Sequence, residues 1–113
     1  MHELSLAMEV IELAHREADK NNLAAIQEIL IEVGDLSGVE ADAFQSALEL
    51  IVKNTILEDS VINIIRTQGI GKCLACNMEF EMNNRIDTCP GCQCFPSEII
   101  GGQEFRVQSL IGE

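Results

Sequence analysis

The sequence predicts an α+β fold, two helices packed on a three-stranded mixed sheet with a cysteine-rich module inserted ahead of the last strand. Three observations predict it. Two segments carry apolar residues at helical spacing, three segments are β-branched and alternating, and all five cysteines fall between the second and third of those strands.

From Leu4 to Ala18 the residues Leu4, Ala7, Met8, Ile11, Ala14 and Ala18 recur at helical spacing, with Glu9, Glu12, Arg16 and Glu17 on other faces. This is an amphipathic helix. Ile26 to Val33 alternates Ile29, Ile31 and Val33 against Glu28, Leu30 and Glu32, and reads as a strand ended by Gly34-Asp35. A second helix is expected from about Glu40 to Lys53, with Phe44, Ala47, Leu48 and Ile51 on one stripe. Ser37 and Glu40 have the Ser-x-x-Glu spacing of a capping box, which would satisfy the exposed first-turn amides and fix the start. Val61 to Arg66 and Phe105 to Ile111 read as two further strands. The helix between the first two strands fits a parallel crossover, with both helices on one sheet face and the last strand returning antiparallel.

The expected division is therefore an α+β domain over 1–68 and 103–113 and a four-cysteine module over 69–102. Gly69-Ile70-Gly71 and Gly101-Gly102 bracket the module and favour flexible or sharply turned backbone. No helical pattern follows Gly69-Ile70-Gly71, so it is no phosphate loop.

With 113 residues, 47% of them apolar, the chain suits one compact unit with a small appendage. No apolar run approaches the roughly 20 residues needed to span a bilayer, and Met1-His2-Glu3 lacks the basic start of a signal peptide. The expectation is a soluble, cytoplasmic protein. Formal charge is −12, from 19 acids against 7 scattered bases, a balance that repels nucleic acid and suits a basic partner or a cation.

Cys73-Leu74-Ala75-Cys76 and Cys89-Pro90-Gly91-Cys92 are two Cys-x-x-Cys knuckles. Four thiolates from two tight turns close a tetrahedron about one Zn(II), leaving no open position, so the module is zinc-ribbon-like and its metal structural. The alternatives are iron in a rubredoxin-like shell or a pair of redox dithiols; the latter would be expected to open a helix after a strand. Few apolar residues accompany the knuckles, so folding there should depend on metal. Cys94 is read as a bystander or alternative ligand. Zinc ribbons that bind nucleic acid need bases and aromatics, and this one has only Lys72, Arg85, Phe80 and Phe95.

His2 places an imidazole, a backbone amide and the chain's amine within chelating reach of one ion. The amine and the His2 amide close a five-membered ring, the amide and imidazole a six-membered one, a nitrogen-rich set suited to Ni(II) or Cu(II), to which Glu3 adds a carboxylate. His15, midway along the helix, is read as a face residue.

Met1-His2-Glu3-Leu4-Ser5-Leu6, Glu32-Val33-Gly34-Asp35-Leu36-Ser37-Gly38-Val39-Glu40 and the paired knuckles occur in an order that resembles the HypA/HybF family of hydrogenase nickel-incorporation proteins, over essentially the whole length. The resemblance implies Ni(II) held by the N-terminal Met-His-Glu, here His2 and Glu3, and Zn(II) held by Cys73, Cys76, Cys89 and Cys92. It implies a non-enzymatic metallochaperone that works with the GTPase HypB to load the [NiFe] hydrogenase large subunit, with urease maturation served in some relatives. Some relatives also use an acid at the position of Glu40, which the capping box explains equally well. The competing functions are a zinc-ribbon protein-interaction module without nickel transfer, for which a basic patch is missing, and a thiol redox enzyme. Monomer and homodimer both remain open.

Overall fold

The computed structural model describes residues 2–94 and 98–113; Met1, expected to supply an amine ligand, and Phe95 lie outside the described residues. Helix α1 (Glu3–Lys20) buries Ala7, Val10, Ile11, Ala14 and Ala18. Three alanines on that face let the helix lie close to what it covers. Leu4 and Met8 belong to the apolar pattern, yet they are 53% and 54% exposed. A helix resting on a sheet buries an arc of about 100°, which the five buried residues already fill, and Leu4 and Met8 fall beyond its margin.

Strand β1 (Ile26–Gly34) follows, then α2 (Ala41–Ile51), β2 (Val61–Thr67), β3 (Gly69–Lys72), β4 (Glu79–Met82), β5 (Glu98–Gly101) and β6 (Phe105–Gly112). The first sheet has the order β2-β1-β6, with β1 parallel to β2 and antiparallel to β6. The two helices and this mixed sheet agree with the expected architecture. Ile29 sits between Ile62 and Leu110, and Ile31 between Ile64 and Val107, so one sheet face is apolar across all three strands. Phe44 and Leu48 of α2 are fully buried in the resulting core, and the Phe44 and Phe105 rings meet edge to face at 5.0 Å.

Glu32, on the opposite face by the alternation, is nonetheless buried at 7% exposure. Arg106 Nε donates to its carboxylate at 2.7 Å, Thr67 Oγ1 at 2.9 Å and Gln108 Nε2 at 3.2 Å, so the buried acid is fully partnered.

The start of α2 departs from the capping box. Glu40 itself is the N-cap, in extended backbone, and its carboxylate accepts from the Asp42 and Ala43 amides at 3.3 and 2.5 Å. Ser37 Oγ instead accepts from the Val39 amide in a local turn. Gly38, at φ 83°, breaks the path between Ser37 and Glu40, so no helical turn joins them.

The cysteine region has its own antiparallel sheet, of order β4-β3-β5, which the sequence pattern did not announce. Gly69-Ile70-Gly71, expected to bend, is strand. Glycine is needed there for close approach, since a Cβ on Gly69 would lie 2.6 Å from Leu36 Cγ. The small core of this region consists of Cys73, Cys89, Phe80 and Met82 together with Leu36, which arrives from the loop between β1 and α2. Arg85 Nη2 donates to the Leu36 carbonyl at 2.7 Å and Gln68 Nε2 to the Met82 carbonyl at 2.9 Å, tying the two sheets together.

Candidate metal centres

The first knuckle opens directly after β3, and β4 carries the chain back from it. The Cys73 amide donates to the Met78 carbonyl at 2.9 Å, the Asn77 amide donates to the Cys73 carbonyl at 2.6 Å, and Asn77 has φ 60°. The second knuckle repeats this at the same spacing. The Cys89 amide donates to the Cys94 carbonyl at 2.8 Å, the Gln93 amide donates to the Cys89 carbonyl at 2.7 Å, and Gln93 has φ 62°. Each turn thus uses the fifth residue after its first cysteine as an acceptor and a left-handed residue at the fourth. That pairing gives Cys94 a backbone role, as the counterpart of Met78.

The two turns bring Cys73, Cys76, Cys89 and Cys92 together, with all four sulfurs within 4.8 Å of one another. Cys73 and Cys92 Sγ are 3.3 Å apart, Cys76 and Cys89 Sγ 3.6 Å. Four sulfurs bonded at about 2.3 Å to a tetrahedral ion stand about 3.8 Å apart, so the donor set fits a structural Zn(II) with small adjustments. Cys73 and Cys89 are buried while Cys76 and Cys92 face outward, a closed and half-sheltered shell.

The turns also prepare the sulfurs electronically. The Cys76 amide, followed by the Cys92 thiol, holds the Cys73 thiol down to about 7. The Cys92 amide does the same for Cys89, which lies below the ordinary thiol value, and the Gly91 amide donates to its sulfur at 3.4 Å. Cys92 moves the other way: the Cys94 amide favours its thiolate, but the adjacent Cys73 sulfur and burial outweigh that and push it up. For Cys76 the Met78 amide likewise acts downward, while the Cys89 sulfur and burial prevail and raise it. Four converging thiolates repel, so the Cys76 and Cys92 thiols are held up while those of Cys73 and Cys89 are lowered, and a bound dication would favour all four thiolates.

At the other end of the molecule, His2 is the N-cap of α1 and is exposed. Its side chain makes no capping bond, and its carbonyl accepts from the Leu6 amide at 3.1 Å. Glu3 Oε2 accepts from the Glu40 amide at 3.3 Å, so the starts of α1 and α2 are joined and two acids from opposite ends of the first 40 residues meet. Burial alone would raise the Glu3 carboxyl, but hydrogen bonds from the Glu40 amide and its own amide outweigh it and hold it below its ordinary value. The positive end of the α1 dipole opposes a bound cation, and these carboxylates offset it. Beside Glu40 opens a cleft of about 570 Å³ that also includes Asp35, Arg66, Gln68 and Asn83. His15 is exposed on α1.

Leu36, Met78 and Arg85 were not legible as site residues. Met78 Sδ lies 4.0 Å from Cys89 Sγ, and only the folded chain shows Leu36 and Arg85 closing the cluster from the side of the first sheet. The left-handed residues had a usable signal, in that Asn77 and Gln93 each stand four places after the first cysteine of a knuckle.

Comparison with known proteins agrees with this geometry. A family profile described as hydrogenase/urease nickel incorporation, metallochaperone, HypA matches residues 1–111. A hydrogenase maturation factor HypA of Francisella philomiragia is 35% identical over 111 residues, covering 98% of each chain. One of Parabacteroides distasonis is 36% identical, covering 98% of this chain and 96% of its own. The solution structure of the Ni metallochaperone HypA from Helicobacter pylori superposes with a TM-score of 0.67 at 26% identity, covering 99% of this chain and 97% of that one. With the family profile matching residues 1–111 and relatives more than 30% identical over nearly the full length, the chain belongs to the HypA family of hydrogenase and urease nickel-incorporation metallochaperones.

Proposed function

We propose that this chain holds Ni(II) through His2 and Glu3 and delivers it to the [NiFe] hydrogenase large subunit together with the GTPase HypB, acting in the cytoplasm without catalysing a reaction of its own. In this reading Cys73, Cys76, Cys89 and Cys92 ligate the structural zinc. The nickel-handling unit comprises 1–68 with 103–113, and the zinc-handling unit 69–102. Among the described residues no helix is long and apolar enough to cross a membrane.

The observation that carries the proposal is the exposed His2 side chain, unused in capping, in a chain matched from its first residue to a nickel-incorporation family. A cargo ion must leave as well as bind. An exposed imidazole beside a half-buried carboxylate at a helix start leaves room for a second protein's ligands, whereas a closed four-sulfur shell does not. The chemistry of the donors points the same way: nitrogen and oxygen suit Ni(II), and the thiolate set suits zinc.

Titration of nickel into wild type and His2→Ala by calorimetry, with zinc measured on the same samples, tests the assignment. His2→Ala should lose nickel binding and retain one zinc per chain. Wild-type nickel affinity in His2→Ala would remove the ion from this site.

A further inference from the structure

Every polar group of Glu40 has a partner, and the partners divide its work in two. Its carboxylate caps α2, with Oε1 accepting from the Asp42 amide at 3.3 Å and Oε2 from the Ala43 amide at 2.5 Å. Its carbonyl accepts from the Phe44 amide at 2.9 Å, closing the first turn. Its own amide points out of the helix and donates to Glu3 Oε2 at 3.3 Å, across 37 residues of chain. That amide is a fixed point, because the residues on either side of it are packed: Val39 lies against the first core and Ala41 is buried in it at 5% exposure.

We propose that Glu40 is a positioning residue of the nickel site and not one of its ligands: its backbone amide holds the Glu3 carboxylate in place beside His2, and its own carboxylate stays on the start of α2. The inference rests on the nickel reading of His2 and Glu3.

The two carboxylates have opposite needs. Moving that of Glu40 onto an ion would take the acceptor from two first-turn amides of α2, at the end of a helix whose leading donors have no partner inside it. Glu3 carries a long side chain that loses rotamer freedom when it is ordered, a cost that weakens ion binding unless something orders it beforehand. The bond from the Glu40 amide does so. A hydrogen bond from an N–H to a carboxylate is one of the stronger kinds, and a backbone donor set between two packed residues has no rotamer of its own to lose. Glu3 follows His2 directly in the chain, so the starts of α1 and α2 together fix one of the two side-chain donors that the ion would meet.

The test uses the full zinc-loaded chain with its native N-terminus. Glu40→Asn and Glu40→Ser keep the amide and a capping oxygen while removing the charge, and both should hold nickel within about threefold of wild type, with an unchanged visible absorption spectrum of the bound ion. Glu40→Ala and Glu40→Pro both lack the cap, and proline lacks the amide as well, at a φ of −82° that lies close to proline's own. Glu40→Pro should therefore bind nickel at least about tenfold more weakly than Glu40→Ala, the effect of losing a hydrogen bond to a charged group. Hydrogen exchange of the Asp42 and Ala43 amides in wild type should not speed up when nickel is added. A loss of about tenfold or more in both Glu40→Asn and Glu40→Ser, or release of those two amides by nickel, would make Glu40 a ligand and overturn the proposal. Equal nickel affinity in Glu40→Pro and Glu40→Ala would overturn it as well. Should Glu40→Pro not fold, Glu3→Ala decides the role of the amide: exchange at Glu40 should quicken while that at Asp42 and Ala43 stays the same, and an unchanged rate at Glu40 would overturn the proposal. Wild type that binds no nickel would instead remove the reading of His2 and Glu3 on which this role rests.

Discussion

The β2-β1-β6 region and the cysteine region are both three-stranded sheets, yet different forces hold them. The first buries thirteen apolar residues in one cluster, with α1 and α2 covering a continuous Ile, Val, Leu and Phe face. Among the described residues the second buries five, of which two are cysteines and one, Leu36, is donated by the first region. Hydrophobic burial at about 25 cal/mol per Å² suffices for the larger core, while the smaller one has too little apolar area and needs a metal. A chain that carries one ion and keeps another benefits from that division, since the retained ion is part of a fold and the carried one is not.

The largest expected effect removes that metal. Cys89→Ser takes away a buried, amide-supported sulfur, and structural zinc contributes on the order of 10 to 16 kcal/mol at neutral pH. Zinc should be lost and the amides of β3 and β4 should exchange freely with solvent, while those of β1 stay protected. Loss of protection in β1 as well would show that the first region does not stand alone.

Phe44→Ala breaks the other side of the comparison. The ring is fully buried against Phe105, and its removal should cost about 3 to 5 kcal/mol in denaturant unfolding of the first region. Zinc should remain bound at one per chain under native conditions. Zinc loss in folded Phe44→Ala would mean that the two regions are not separable.

Leu36→Ala sharpens the boundary between them. A buried leucine truncation costs about 2 to 5 kcal/mol, and here the cavity opens in the cysteine region although the residue belongs to the loop of the first. Zinc release to a chelator should accelerate, with β1 protection unchanged. Wild-type release would mean that Leu36 fills space without supporting the knuckles.

The smallest expected effect is a pH dependence confined to the first region. Hydrogen bonds from Thr67 and then Arg106 hold the Glu32 carboxyl below its ordinary value of about 4.5. In the unfolded chain it binds a proton near that value, so its contribution is complete above it and is lost as pH falls toward the lower folded value. Glu32→Gln should flatten the decline of Tm below pH 4.5, seen as a smaller gap between Tm at neutral pH and at pH 3.5. An unchanged slope would place the acid sensitivity in other carboxylates.

The sequence by itself determined the elements that repeat a period and the ligands that repeat a spacing. Ile29, Ile31 and Val33 could face only one way in a strand, Phe44 and Leu48 only one way in a helix, and two Cys-x-x-Cys turns carry four donors at the spacing of a closed metal shell. What it left open was decided by contacts between residues far apart in the chain. The helix begins at Glu40 as expected, but Glu40 and not Ser37 caps it, because Gly38 takes a left-handed turn, and the Glu40 amide meets Glu3, 37 residues away. Leu36 entered the cysteine core, Glu32 was buried beneath Arg106, and Leu4 and Met8 stayed in solvent although they fit the apolar pattern. Periodicity is a local property of the chain, whereas burial depends on which surfaces tertiary packing brings together and where their coverage ends.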